Sequence, residues 1–174
     1  MMGAGKSSVG RCLHRRTGLS LHDTDEIVAA KFGMSIPEIF ARHGEKQFRE
    51  AETAALRQMR TEEQKIIITG GGIVLHKENV GILKEQAVIV WLDGDEKTLC
   101  ARAIRQQNRP LLRTKNPRSA FSQILSARRP LYAKLADMRV DTSVLTDEEV
   151  AVAILAKLEK INLNPESPLP PKAS

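Results

Sequence analysis

The segment Gly3-Ala4-Gly5-Lys6-Ser7-Ser8, at the very start of the sequence, constrains the fold more than any other stretch. It supplies most of the phosphate-binding pattern G-x-x-x-x-G-K-[ST], whose glycines keep side chains away so that backbone N–H groups can converge on phosphate oxygens. A helix must follow such a loop, because its partly positive N-terminus faces the same anions. Val9 to Arg16 reads as that helix. Within the loop, Lys6 suits the β- and γ-phosphates as a point charge, and the Ser7 hydroxyl suits Mg²⁺. Counting back from Gly5 puts the first Gly of the pattern one position before Met1, with the strand that feeds the loop further upstream. A flexible N-terminus carrying a stray Lys competes with this reading when the loop is taken alone.

Two long apolar runs, Lys65 to Thr69 and Ala87 to Leu92, have the continuous character of strands buried on both faces of a parallel sheet. Leu19 to His22 and Met138 to Val140 are shorter strand candidates. Helix-like stretches alternate with them: Asp25 to Lys31, Ser35 to His43, Glu45 to Arg60, Asp95 to Arg105, Ala120 to Leu135 and Asp147 to Lys160. Ser35 with Glu38 forms a capping box, with Pro37 in the first turn. This alternation predicts a right-handed doubly wound α/β domain. One domain of residues 1–160 is expected, followed by a disordered Pro-rich tail over 161–174, because the last ten residues hold four of the eight prolines.

Composition narrows the class of ligand. A net charge of +6 fits nucleic acid or small polyanions, and an aromatic content of 3% leaves few platforms on which bases could stack. Cys12 and Cys100 lack any metal-binding spacing and read as reduced core thiols. No apolar run is long enough to cross a bilayer, so the expected compartment is the cytoplasm, with no membrane or nucleic-acid partner and a monomeric state.

Four constellations beyond the loop carry chemistry. Asp23-Thr24-Asp25 ends a strand, where open α/β sheets bind ligands; its carboxylates suit Mg²⁺ through water and a substrate hydroxyl, or simply a helix N-cap. Arg49 lies between Glu45 and Glu52 on one helical face, either as a fork for a carboxylate or in a surface salt bridge. Gly70-Gly71-Gly72 follows the best strand, as a close approach to a ligand or as a tight turn. An arginine-rich stretch from Arg102 to Arg129 includes a Pro- and Lys/Arg-rich segment at about 108–118 that reads as a mobile lid, on which an arginine could close over phosphate.

In this order and spacing the motifs resemble the shikimate kinase family: Gly3 to Ser8, Asp23-Thr-Asp25, Gly44-Glu45 with Phe48-Arg49 and Glu52, Thr69 to Gly72, Trp91-Leu-Asp93, Arg109-Pro-Leu-Leu112 and Arg128-Arg-Pro-Leu-Tyr132. The resemblance spans Met2 to about Lys157. It implies a P-loop fold of the nucleoside-monophosphate-kinase type, three layers α/β/α with parallel strands in the order 2-3-1-4-5. It also implies Mg²⁺-dependent transfer of the ATP γ-phosphoryl group to the 3-hydroxyl of shikimate.

Residue by residue, the resemblance gives Gly3, Ala4, Gly5, Lys6, Ser7 and Ser8 to the ATP phosphates, Ser7 to Mg²⁺, and Asp23 to the metal through water. Asp25 contacts the acceptor hydroxyls as the candidate base. Arg49 and Arg128 take the acceptor carboxylate, with Gly70, Gly71 and Gly72 lining the same site. Arg109 is the lid arginine on ATP, and Arg102 flanks the adenine. Lys6, Asp25 and Arg109 form the expected catalytic set. Strand 1 of that order and the opening Gly of the loop do not precede Met1, so the expectation is a start placed about ten residues late. A kinase for gluconate or a nucleoside monophosphate, and an inactive nucleotide-binding domain, are the rival functions.

Overall fold

The computed structural model describes residues 1–60, 63–105 and 110–163. The chain enters through helix α1 (Lys6–Thr17), which begins directly after Gly5 in a left-handed conformation (φ 79°) and stops at Gly18, also left-handed. Strand β1 (Ser20–Asp23) leads into α2 (Thr24–Phe32) and then α3 (Ile36–Gln58). Strand β2 (Lys65–Ile68) is followed by a 3₁₀ turn over Ile73–Leu75 and by α4 (Lys77–Gln86). Strand β3 (Val90–Asp93) precedes α5 (Glu96–Arg105), and a 3₁₀ turn over Pro110–Leu112 leads to α6 (Pro117–Leu135). Strand β4 (Met138–Asp141) and α7 (Asp147–Leu163) complete the described chain.

Strands β1 and β2 pair in parallel with Asp23 opposite Ile68, and β3 pairs in parallel with β4 with Asp93 opposite Asp141. These are the two outer pairs of the order 2-3-1-4-5, and among the described residues no strand joins them. The sequence predicted β2 and β3 to be buried on both faces. Instead the first three residues of β2 and the first two of β3 are only partly buried. A strand that lacks a partner along one edge keeps part of its backbone and side chains near solvent or cavity, which accounts for the difference.

The capping signal at Ser35 sets the start of α3 as the sequence indicated, whereas α1 begins at Lys6 and α6 at Pro117, each three residues earlier than expected. At the start of α3, the Glu38 carboxylate accepts from the Ser35 backbone N–H at 2.9 Å and from its hydroxyl at 2.6 Å. These bonds hold the Glu38 carboxyl below its usual range. Gly44 interrupts α3 with φ 77°, a left-handed value that favours glycine, so two helical segments meet at a kink just before Glu45. Helix α4 lies in a stretch that the sequence pattern did not mark as helical.

The main core packs Phe121, Leu125, Leu99, Val150 and Ile154 around the sheet, with Met1 and Met2 also buried in it. A smaller cluster, Val28, Ile39, Phe48, Ala51 and Ala55, locks α2 against α3. This second cluster fixes the two helices that carry Asp25 and Arg49.

Candidate active site

At the head of α1, Gly3 and Gly5 both adopt positive φ (74° and 79°), and the Gly5 carbonyl accepts from the Val9 N–H at 2.9 Å. A Cβ on Gly3 would run into the Leu99 carbonyl, so this glycine is demanded twice, by conformation and by space. The loop opens onto a cleft of about 640 Å³ lined by Gly3 to Ser8, Arg11, Arg102 and Arg105 and by Leu145 to Asp147. Arg102 is held there through its guanidinium, which donates to the carbonyls of Thr142 at 2.9 Å and Ser143 at 3.4 Å. Such a cleft, with a helix N-terminus at its floor and cations along its walls, is built for a polyphosphate.

A second set of groups converges on the turn after β2. A Cβ on Gly70 would lie 2.8 Å from Asp25 Oδ1 and 3.2 Å from Glu52 Oε1, and one on Gly72 would lie 2.8 Å from Arg49 Cζ. The Gly71 carbonyl accepts from Arg128 Nη1 at 3.0 Å and from the Tyr132 hydroxyl at 2.5 Å. Gly70 and Gly72 therefore make room for side chains of α2 and α3, while a Cβ on Gly71 would meet Tyr132 and Arg128 of α6 only at ordinary contact distance. Thr24 ties the turn to α2, its hydroxyl accepting from the Gly70 N–H at 3.4 Å.

Arg49 is paired with Glu52 at 2.8 Å and Glu45 at 3.1 Å. The surface reading fails for the Arg49–Glu52 pair, where Glu52 is 0% exposed and Arg49 only 14%, whereas Glu45 is 61% exposed. Burial opposes the charge on both. At Arg49 the hydrogen bonds and charges of Glu52 and Glu45 outweigh burial and raise its pKa, whereas at Glu52 burial outweighs Arg49 and pushes the carboxyl up. Burial likewise raises the Tyr132 phenol, with Arg128 pulling the other way.

Lys6 joins the two regions. Together with Gly70, Gly71 and Tyr132 it lines a cavity of about 60 Å³, and its ammonium donates to the Met1 carbonyl at 3.1 Å. Asp23 caps α2, with Oδ1 accepting from the Asp25 N–H at 2.9 Å rather than through the box with Glu26 that the spacing allowed. Arg109 and most of the expected tail lie outside the described residues. Two residues quoted in the sequence motifs were given no role there: Tyr132, four residues after Arg128 and lining the cavity with Lys6, and the buried Asp93 at the end of β3. Asp93 is flanked by Arg129 at 3.2 Å and Arg139 at 2.7 Å. The i+4 spacing of Arg128 and Tyr132 on one helix was the available signal for the first. Cys12 and Cys100 are buried free thiols, as expected.

A glycine-rich loop feeding a helix, a cationic cleft beside it, and an acceptor-sized set of carboxylate and guanidinium groups next to the loop lysine define a P-loop small-molecule kinase. Comparison with known proteins names the family. The family described as shikimate kinase matches residues 2–159. The shikimate kinase of Thermodesulfovibrio yellowstonii is 39% identical over 161 residues, covering 92% of both chains. Among solved structures, a shikimate kinase from Acinetobacter baumannii in complex with shikimate superposes with TM-score 0.88 at 33% identity, covering 94% of this chain and 91% of the other. The Aquifex aeolicus shikimate kinase gives 0.81 at 34% identity, with 94% and 95% covered. The chain belongs to the shikimate kinase family.

Proposed function

We propose that the protein transfers the γ-phosphoryl group of ATP to the 3-hydroxyl of shikimate, giving shikimate 3-phosphate for aromatic amino acid biosynthesis in the cytoplasm. The observation that carries the acceptor assignment is the convergence of Asp25, Arg49 and Arg128 on Gly70–Gly72, beside Lys6. A small ring bearing one carboxylate and several hydroxyls needs fixed cations at one end and a hydroxyl acceptor at the other. Arg49 and Arg128 supply the first, and Asp25 the second.

Phosphoryl transfer passes through a loose, charge-dispersed transition state, so positioning and electrostatics do most of the catalysis. The loop N–H groups from Gly3 to Ser8 and the head of α1 hold the phosphates, and Lys6 neutralises charge that builds on the transferred group. Asp25 accepts a hydrogen bond from the attacking hydroxyl and aims it. Arg102 borders the base end of the cleft, and Arg109 is assigned to the lid on sequence grounds.

Mg²⁺ would be held by the Ser7 hydroxyl and, through water, by Asp23, where it would screen the phosphate charge. Both are hard oxygen donors, and Mg²⁺ keeps much of its water, so a site with few protein ligands suits it. Asp23 spends Oδ1 on its cap bond, which leaves Oδ2 for this purpose.

An ADP-release assay with shikimate, gluconate and AMP as rival acceptors tests the proposal. Mg²⁺-dependent turnover with shikimate alone is expected. Turnover with gluconate or AMP in its place, or with none of the three, overturns the assignment.

A further inference from the structure

We infer that Asn79, on α4, is a positioning residue for the acceptor site, bracing Glu52 and through it the guanidinium of Arg49. The inference rests on the reading of Arg49 as the cation that receives the acceptor carboxylate. Asn79 is fully buried, and both polar atoms of its side chain are spent on neighbouring residues of α3. Its Nδ2 donates to Glu52 Oε2 at 3.3 Å, and its Oδ1 accepts from the Thr53 hydroxyl at 2.6 Å. Glu52 Oε2 is the oxygen that receives Arg49 Nη1 at 2.8 Å. The Thr53 hydroxyl also lies 2.9 Å from the Arg49 carbonyl.

Asn79 is thus referenced to the Arg49 guanidinium through the Glu52 carboxylate, and to α3 a second time through the Thr53 hydroxyl. One hydroxyl proton serves two acceptors at Thr53, and the shorter distance assigns it to Asn79. With Glu52 ionised, only the amide orientation that presents Nδ2 offers Glu52 a donor. Fixing the amide from the Thr53 side therefore holds this donor in place.

The bracing matters because Glu52 is poorly satisfied. Its Oε1 is buried without a hydrogen-bond partner and faces Gly70 and Asp25. The charges that bear on the carboxylate are Arg49 on α3, Asp25 on α2 and His76 ahead of α4. Without the amide, a buried carboxylate tethered by Arg49 alone would be free to turn toward the acceptor turn and take the guanidinium with it. A merely structural asparagine would change folding stability without singling out one substrate.

Steady-state kinetics of Asn79→Leu and Thr53→Val, with melting temperatures recorded, separate these roles. Asn79→Leu is expected to raise KM for shikimate about ten-fold, the loss of one hydrogen bond to a charged group, with KM for ATP and kcat within about two-fold. Thr53→Val keeps the Asn79–Glu52 bond but frees the amide, and is expected to raise the same KM about three-fold. If Asn79→Leu fails to fold, Thr53→Val decides. An unchanged KM for shikimate in the folded variants, or an equal rise in KM for ATP, overturns the bracing. Wild-type protein that does not phosphorylate shikimate overturns the functional reading instead. The Glu52 titration, followed by NMR in wild type and in Thr53→Val, then tests the bracing without turnover. A shift to higher pH is expected in the variant, and an unmoved titration overturns the inference.

Discussion

Gly72→Ala isolates the coupling between the acceptor turn and Arg49. The backbone at Gly72 (φ −93°, ψ −5°) is open to alanine, so the substitution carries no conformational strain. The new methyl carbon would lie 2.8 Å from Arg49 Cζ and 2.9 Å from Nη1, and nearer still to Nη2, where ordinary contact begins at 3.4 Å. The obstacle is the movable end of a side chain, so the guanidinium yields and the turn stays. In yielding it leaves the geometry that pairs it with Glu52 at 2.8 Å and Glu45 at 3.1 Å.

Misaligning a charge-assisted contact to the acceptor carboxylate costs about 2 kcal/mol, within the range for hydrogen bonds to charged groups. That is about a thirty-fold fall in kcat/KM for shikimate. Folding stability should fall by about 1–3 kcal/mol, because displacing Arg49 weakens its pairing with the buried Glu52 carboxylate and the lost glycine freedom of the unfolded chain offsets only part of this. The coupled ADP-release assay gives the kinetics, and urea unfolding gives the stability. A kcat/KM for shikimate within two-fold of wild type would refute the claim that Gly72 is glycine to make room for Arg49. Gly71→Ala is the internal control. Its nearest neighbours would be Tyr132 Oη at 3.5 Å and Arg128 Nη1 at 3.8 Å, so activity should stay within about three-fold.

Asp25→Asn keeps the shape but removes the charge proposed to aim the hydroxyl; kcat should fall at least about a hundred-fold, the usual scale for a positioned acid–base group, while KM for ATP holds. Normal turnover would exclude Asp25 from the site. Tyr132→Phe deletes one of the two donors to the Gly71 carbonyl, and should lower unfolding stability by about 1 kcal/mol and raise KM for shikimate several-fold. Glu148 bonds Arg15 at 2.5 Å and Arg16 at 2.9 Å, tying α7 to α1, and these bonds lower its pKa from 4.5 to about 2. A depressed carboxyl stabilises the fold above its ordinary value, and that contribution disappears as pH falls through about 2. In urea unfolding, Glu148→Gln should therefore lose less stability than wild type between pH 4.5 and about 2, and parallel pH profiles would refute the assignment.

What could be read from the sequence was mostly local. The capping box at Ser35 and Glu38, the break at Gly44 and the i+3 pairing of Arg49 with Glu52 each depend on residues within one helical turn, and all appear in the structure. The triple glycine signalled a close approach, but not that Asp25, Arg49 and Arg128 would be what approaches. Helix α4 escaped notice because Lys-Glu-Asn-Val-Gly-Ile-Leu-Lys-Glu-Gln contains glycine and β-branched residues that weaken helical propensity. Its formation depends on packing, as does the buried meeting of Thr53 with Asn79, twenty-six residues apart. No spacing rule connects such a pair. The strand edges fell short of the predicted burial because the pattern of a run reports its hydrophobicity and not whether a neighbour is present.

Helix α6 carries two adjacent arginines that face different halves of the molecule. Arg128 reaches the Gly71 carbonyl beyond β2, while Arg129 reaches Asp93 and the Gly94 carbonyl beyond β3. Since β2 and β3 do not pair with each other among the described residues, this one helical step is a yoke across the seam between them. A yoke transmits motion in both directions. A substitution that turned α6 about its axis would therefore disturb the Gly71 anchor and the Asp93 anchor together.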